Sequence, residues 1–97
     1  MIYVLVLFNY RDSNVDDVYL FSSESKRTEA VLDYIWRVIS SLDYEADKAE
    51  FNLWNGKFKE VEKNMDLLPG FLEEYEEWVC NSGGRACLVF RYEKEVL

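Results

Sequence analysis

The stretch FNLWNGKFKEV, residues 51–61, decides the fold predicted for this chain. Asn55 and Gly56 separate two short runs of alternating apolar and polar residues, and both residue types tolerate the positive φ that a type I′ turn needs. We therefore predict a β-hairpin with strands over residues 50–54 and 57–62. The rival interpretation is one helix through residues 45–65, which has to accept the Asn-Gly pair in its middle at a cost of about 1 kcal/mol or more.

The residues before this stretch predict a hairpin followed by a helix. Residues 2–8 (IYVLVLF) are apolar at both odd and even positions, which is typical of a strand at the centre of a sheet. A polar, turn-rich segment over residues 9–17 leads to a second apolar run at residues 18–21, so the two strands are expected to be antiparallel. Ser22 and Ser23 then offer N-caps, and apolar residues at spacings of three and four predict a helix over residues 24–41.

The residues after the stretch predict a second helix and a last strand. Pro69 suits the first turn of a helix over residues 66–80, and a strand over residues 86–92 follows the turn at residues 81–84. With 97 residues, of which 49% are hydrophobic, the chain is expected to form one domain over residues 1–97. The predicted fold class is α+β, a mostly antiparallel five-stranded sheet of order β-β-α-β-β-α-β with two helices on one face.

The first two strands are apolar on both faces, so helices on one face leave the other face without cover. One alternating set contains Ile2, Val4, Val6, Phe8, Val18 and Leu20. The other set, which we assign to self-association, contains Tyr3, Leu5, Leu7, Tyr19 and Phe21. An uncovered apolar face indicates a partner surface. A homodimeric structural or regulatory module is therefore one hypothesis for the function.

The charge of the chain is negative and unevenly placed. The net charge is −8, and residues 43–97 carry thirteen acidic and seven basic side chains. Such a surface repels nucleic-acid phosphates and anionic lipid and favours a basic protein partner, although acidic charge can also serve solubility alone. Carboxylates spaced along a helix can imitate the charge of a nucleic-acid duplex. The predicted contact residues are Asp43, Tyr44, Glu45, Asp47, Glu50, Glu73, Glu74, Glu76 and Glu77.

The residue types that usually support catalysis or cofactor binding are scarce. The chain has no His, and its two cysteines, Cys80 and Cys87, are expected to be free thiols without a base beside them. Zinc lacks a ligand set, and Asp16 and Asp17 match no calcium loop. We expect no catalytic residue, no cofactor and no metal, and therefore no enzyme. The longest apolar run is too short to cross a bilayer and no leader pattern follows it, which favours a cytoplasmic protein.

Both ends of the chain resemble small uncharacterised proteins of phages and mobile elements. The similarity lies in the opening hairpin that leads through VYLFSS, residues 18–23, into a helix, and in the ending EEWVCNSGGRACLVFRYEKEVL, residues 76–97. Some small acidic phage proteins are anti-CRISPR or anti-restriction inhibitors. The resemblance therefore implies a non-enzymatic inhibitor that binds a nucleic-acid-handling protein, such as a CRISPR effector, and it assigns no individual binding residue.

Overall fold

The computed structural model describes residues 1–42, 45–82 and 86–95, which form three strands and three α-helices. The strands are β1 (Ile2–Asn9), β2 (Asn14–Phe21) and β3 (Leu88–Lys94), and the helices are α1 (Glu24–Ser40), α2 (Lys48–Lys63) and α3 (Leu68–Ser82). A short 3₁₀ helix, Met65–Leu67, joins α2 to α3. The sheet is antiparallel with the order β2-β1-β3. The class is α+β, but the predicted five-stranded sheet with two helices is wrong.

The stretch at residues 51–61 is helical and belongs to α2. The predicted strands over residues 50–54 and 57–62 therefore do not form. Trp54, Phe58 and Val61 are all buried, and their spacing of four and three places them on one side of a helix. A hairpin would have placed these three side chains on both faces of a ribbon. The rival interpretation of a helix through this region is the correct one.

Burial explains why the Asn-Gly pair does not form a turn. The ring centroid of Trp54 lies 5.7 Å from that of Phe71 and 5.4 Å from that of Trp78, and Phe58 lies in the same cluster, 6.4 Å from Phe71. Burying a large apolar side chain stabilises a fold by about 1.5–3 kcal/mol. A glycine inside a helix costs only about 1 kcal/mol. The burial of Trp54 and Phe58 therefore outweighs the preference of Gly56 for a turn.

The first hairpin forms as predicted, with β1 at the centre of the sheet. However, β2 begins at Asn14, within the segment predicted as a loop. The turn closes over fewer residues because the backbone N–H of Asp12 donates to Asn9 Oδ1 (3.1 Å) and Ser13 adopts a left-handed φ of 55°. A β-bulge shifts the register between Leu7 and Phe8.

Helix α1 confirms the prediction for residues 24–41 within one residue and covers one face of the sheet. Ser23 Oγ accepts a hydrogen bond from the backbone N–H of Lys26 (3.2 Å), as an N-cap does. The buried stripe of the helix, Val31, Ile35 and Ile39, joins Leu5 and Leu7 of β1 in the core. The helices therefore take the face of the sheet that contains Leu5 and Leu7.

Helix α3 packs against α2 and against the start of β3. The ring centroid of Tyr75 lies 6.4 Å from that of Trp54, and its hydroxyl donates to the backbone oxygen of Cys87 (2.7 Å). The predicted start at residue 66 falls in the 3₁₀ helix that precedes α3. Within the described ranges, none of the helices combines the length and the apolar character that a membrane span requires.

Candidate interaction surfaces

The face of the sheet opposite α1 consists of rows of apolar side chains. Val4 pairs with Leu20 on β2 and with Tyr92 on β3, while Val6 pairs with Val18 and Phe90. Directly opposite residues of antiparallel strands share a face, so these side chains form two adjacent rows across three strands. Ile2 and Val15 lie at the ends of these rows. We call the whole surface the open sheet face, and it consists of Ile2, Val4, Val6, Val15, Val18, Leu20, Phe90 and Tyr92.

The exposure of most of these side chains shows that the described chain leaves them uncovered, whereas Phe90 is half-buried and packs against the core. Leu20 is 66% exposed, Val18 55% and Tyr92 53%, and Val4 and Val6 on the central strand are only half-buried. By contrast, Leu5 and Leu7, which point to the other face of β1, are 1% and 6% exposed. Monomeric proteins rarely expose large contiguous apolar patches, and such patches usually mark interaction sites.

The residues assigned to self-association belong to the opposite, covered face. Leu5 and Leu7 lie in the core, and Phe21 packs against it, so they cannot form a contact surface in the folded chain. Tyr3 is half-buried below the guanidinium of Arg27, which lies 5.2 Å from its ring centroid. Tyr19 is exposed but lies on the same side of the sheet. The strands alone could not place this set, because both alternating sets are apolar and no signal within the strands indicates which set α1 covers.

Both edges of the sheet carry features that hinder the addition of another strand. On β2, Asp16 and Asp17 lie at the bulge, and Asp16 Oδ2 accepts a hydrogen bond from the thiol of Cys87 (3.1 Å). On β3, the buried Arg27 donates from Nη1 to the backbone oxygen of Tyr92 (2.8 Å) and from Nη2 to Glu93 Oε1 (2.9 Å). Bulges and charged side chains protect an edge against strand pairing. The open sheet face is therefore more accessible to a partner than the sheet edges are.

A second surface lies on the outer side of α3. We call Glu73, Glu74, Glu76 and Glu77 the acidic helical surface. All four are exposed, and they project away from the buried stripe that contains Phe71, Tyr75 and Val79. Helix α3 contains no Lys or Arg of its own. Lys57 of α2 forms an ion pair with Glu74, so one of the four charges is partly compensated.

The remaining predicted acidic residues lie around the start of α2. Glu45 and Glu50 are exposed and Asp47 is half-buried, at the residue that precedes the helix. Since Trp54 contacts Trp78 and Lys57 pairs with Glu74, the two helices run antiparallel and the start of α2 lies toward the end of α3. Glu50 lies in the first turn of α2, where its negative charge interacts favourably with the helix dipole, which is a structural role. Asp43 and Tyr44 lie outside the described residues.

The cysteines are free, and Cys87 is held inside a hydrogen-bond network. Its backbone N–H donates to the Tyr34 hydroxyl (2.8 Å), and its thiol donates to Asp16. Burial, followed by the hydrogen bond to Asp16, raises the pKa of the Cys87 thiol above its ordinary value. Burial also raises the pKa of Tyr34 to about 12 and that of Tyr75 well above its ordinary value. A protonated, buried thiol makes a poor nucleophile.

A cavity of about 630 Å³ lies between the starts of α1 and α3 and β3. Glu24, Glu29 and Arg91 contribute charges of both signs to its wall, and Leu68 and Pro69 form part of its apolar lining. Among the described residues, the buried polar atoms without a hydrogen-bond partner belong to Arg27, Asn55 and Trp78, none of which lines this cavity. The cavity therefore offers a groove without a convergent set of reactive groups.

Among the residues that the structure describes, no group of three or more His, Cys, Asp or Glu side chains is arranged to hold a metal ion. Comparison of the chain with protein-family models, with curated proteins and with solved structures gave no match. The open sheet face and the acidic helical surface are the two candidate binding surfaces of the described chain.

Proposed function

We propose that this chain is a non-enzymatic protein-binding module and that the open sheet face is its binding surface. The observation that supports this function is the pair of apolar rows formed by Val4 and Val6 with their neighbours on β2 and β3, in which Val18, Leu20 and Tyr92 are more than half exposed. Leaving such a patch in water forgoes roughly 25 cal/mol for each Å² of apolar surface. A bound partner recovers this free energy by removing the patch from water.

The test compares two exposed leucines on different surfaces. Leu20 lies on the open sheet face, whereas Leu53 lies on α2 and is exposed to a similar extent, 54% against 66%. A photo-crosslinking amino acid at position 20 is expected to give a specific product in the cells that naturally make the chain, and the same group at position 53 is not. Equal yields at the two positions, or no product at position 20, would rule out this surface.

The acidic helical surface supports a second function, in which the chain binds a basic protein. The four glutamates occupy five consecutive positions of α3, and like charges spaced three or four apart destabilise a helix by about 0.2–0.5 kcal/mol per pair. A binding role offers a reason for keeping this charge density. By the resemblance to phage proteins, the partner would be a nucleic-acid-handling protein, such as a CRISPR or restriction enzyme, and the chain its cytoplasmic inhibitor.

Charge reversal tests this second function. The variant Glu73→Lys/Glu77→Lys is expected to lose a basic nucleic-acid-handling protein that the unmodified chain recovers from host lysate. The variant Glu29→Lys/Glu62→Lys changes the net charge equally at exposed positions of α1 and α2, and it is expected to keep that protein. Recovery of no such protein by the unmodified chain, or equal loss in both variants, would contradict a specific acidic surface.

A further inference from the structure

We infer that the occupant of the open sheet face is a second copy of this chain, in a dimer whose two sheets pack face to face. This inference rests on the proposed binding role of that face and names its partner. Three features of the described residues support it: the charge of the face, its shape and the state of the sheet edges. The area of the face sets how strong the dimer can be.

The rows of the open sheet face contain no carboxylate, although the protein as a whole is acidic. The register places only apolar side chains in the rows through Val4 and Val6, and Asp17 pairs with Leu7 on the covered face. Among the described strand residues, the charged side chain beside these rows is that of Lys94, which pairs with Ile2. Two copies that each carry a net charge of −8 repel one another, and this face brings them together with the least repulsion.

The shape of the face is complementary to itself. Phe90 and Tyr92 give the β3 side large aromatic side chains, while Val18 and Leu20 give the β2 side smaller aliphatic ones. A two-fold axis along β1 places the β3 side of one copy over the β2 side of the other. Phe90 then lies over Val18 of the second copy and Tyr92 over Leu20, so large side chains meet small ones in both halves of the interface. Such a surface, in contact with itself, is what a two-fold dimer requires.

The edges of the sheet leave face-to-face packing as the accessible mode of self-association. A dimer that joins two sheets edge to edge would have to pair either β2, with its bulge and Asp16 and Asp17, or β3. The backbone oxygen of Tyr92 on β3 is already bonded to Arg27. Face-to-face packing keeps these interactions and places the two sheets about 10 Å apart, as in other stacked sheets.

The area of the face sets the strength of the dimer. Three strands about 4.8 Å apart, with about seven residues rising roughly 3.3 Å each, cover about 14 by 23 Å, or roughly 300 Å² in projection. Two such faces with their side chains bury roughly 600–1,000 Å² in total, which is below the ~1,200–2,000 Å² of stable complexes. We therefore expect a reversible dimer with a dissociation constant on the order of 10 µM.

Sedimentation velocity of the purified full chain tests the dimer. From about 1 to 500 µM the unmodified chain is expected to shift from the mass of one copy to that of two. The variant Leu20→Lys is expected to weaken the dimer at least about 100-fold, because a charge enters the apolar interface. The variant Leu53→Lys makes the same change on α2 and is expected to leave the equilibrium unchanged. Circular dichroism checks that both variants are folded, and Val18→Lys provides a second disruption at another position of the face.

The outcomes separate the dimer from the wider proposal. A monomer at about 1 mM overturns the dimer, and so does a dimer that Leu20→Lys and Val18→Lys leave intact. Crosslinking at position 20 separates the dimer from the wider binding role. A product of twice the chain mass supports the second copy, whereas a product with a different protein keeps the binding role and rejects self-association. The absence of any product rejects both.

Discussion

Replacing Gly56 with alanine distinguishes the two folds that residues 51–61 permit. In α2, a Cβ at position 56 meets no atom within 4 Å, so the substitution creates no steric conflict. Alanine is more favourable than glycine inside a helix by about 0.8–1 kcal/mol. We therefore expect Gly56→Ala to raise the free energy of unfolding by nearly that full amount.

Urea denaturation followed by circular dichroism measures the effect. With a denaturant slope of about 1–1.5 kcal/mol per molar urea, the transition midpoint is expected to rise by roughly 0.5–1 M. The melting temperature is expected to rise by about 3–8 °C for a domain of this size. Gly70→Ala provides the control, because Gly70 lies in the first turn of α3, where a Cβ also meets no atom within 4 Å. A smaller stabilisation is expected there, since helix propensity contributes less at a helix end.

The opposite sign would refute the helix. In a type I′ turn the residue at position 56 has a positive φ, and alanine there is strained by roughly 1 kcal/mol or more. A fall in the midpoint for Gly56→Ala, together with a rise for Gly70→Ala, would show that residues 51–61 form a hairpin after all. The experiment therefore separates two architectures by the direction of one change.

Three further predictions follow from the contacts of Arg27, Glu77 and Tyr34. Arg27→Ala should lower the free energy of unfolding by about 2–3 kcal/mol in urea denaturation, less than for a fully buried ion pair because Glu93 is half-exposed; no change would show that the pair is not formed. Glu77→Lys should raise the melting temperature by a few degrees in calorimetry, because it replaces the repulsion between Glu73 and Glu77 at i, i+4 by an ion pair that contributes roughly 0.5 kcal/mol. A decrease would contradict the helical spacing of these charges. The melting temperature should fall as pH rises from 10 to about 12, because burial raises the pKa of Tyr34 from its ordinary value of 10.0 in the unfolded chain to about 12 in the folded one. Tyr34→Phe should reduce that slope, and an equal slope in the variant would contradict the burial of this hydroxyl.

Local sequence signals predicted the elements in which short-range and long-range preferences agree. The N-cap at Ser23 and the spacing of Val31, Ile35 and Ile39 both favour α1, and the structure confirms that helix. At residues 51–61 the two preferences conflict. The Asn-Gly pair is a local turn signal, but Trp54 and Phe58 gain their burial from Phe71 and Trp78, which lie in a different helix. A short-range pattern cannot include that contribution, and so the predicted hairpin was wrong.

The candidate surfaces were predictable to different degrees. The exposure of Glu73 and Glu77 follows from helical spacing alone, because a helix with one buried stripe has only one outer side. The position of the open sheet face was not predictable, because the strand residues do not determine which face of the sheet a helix covers. Leu5 and Val6 are adjacent and equally apolar, yet Leu5 is buried below α1 and Val6 lies on the open face. The packing of α1 on Leu5 and Leu7 determines which face is covered, and the strand residues alone do not predict it.

The two proposed surfaces are compatible because they lie on different sides of the sheet. Helix α1 covers the face that contains Leu5, and α3 packs against α2 and the start of β3 and shares the core with Leu5, so the acidic helical surface projects away from the open sheet face. Face-to-face packing of two copies would bury the sheets and leave both sets of helices outside. Such a dimer would present Glu73 and Glu77 twice, on opposite sides, and would double the charge offered to a basic partner. Two weak contacts made together raise the apparent affinity without new residues when the partner can reach both. A modest dimer interface and a solvated acidic helix would then support one function.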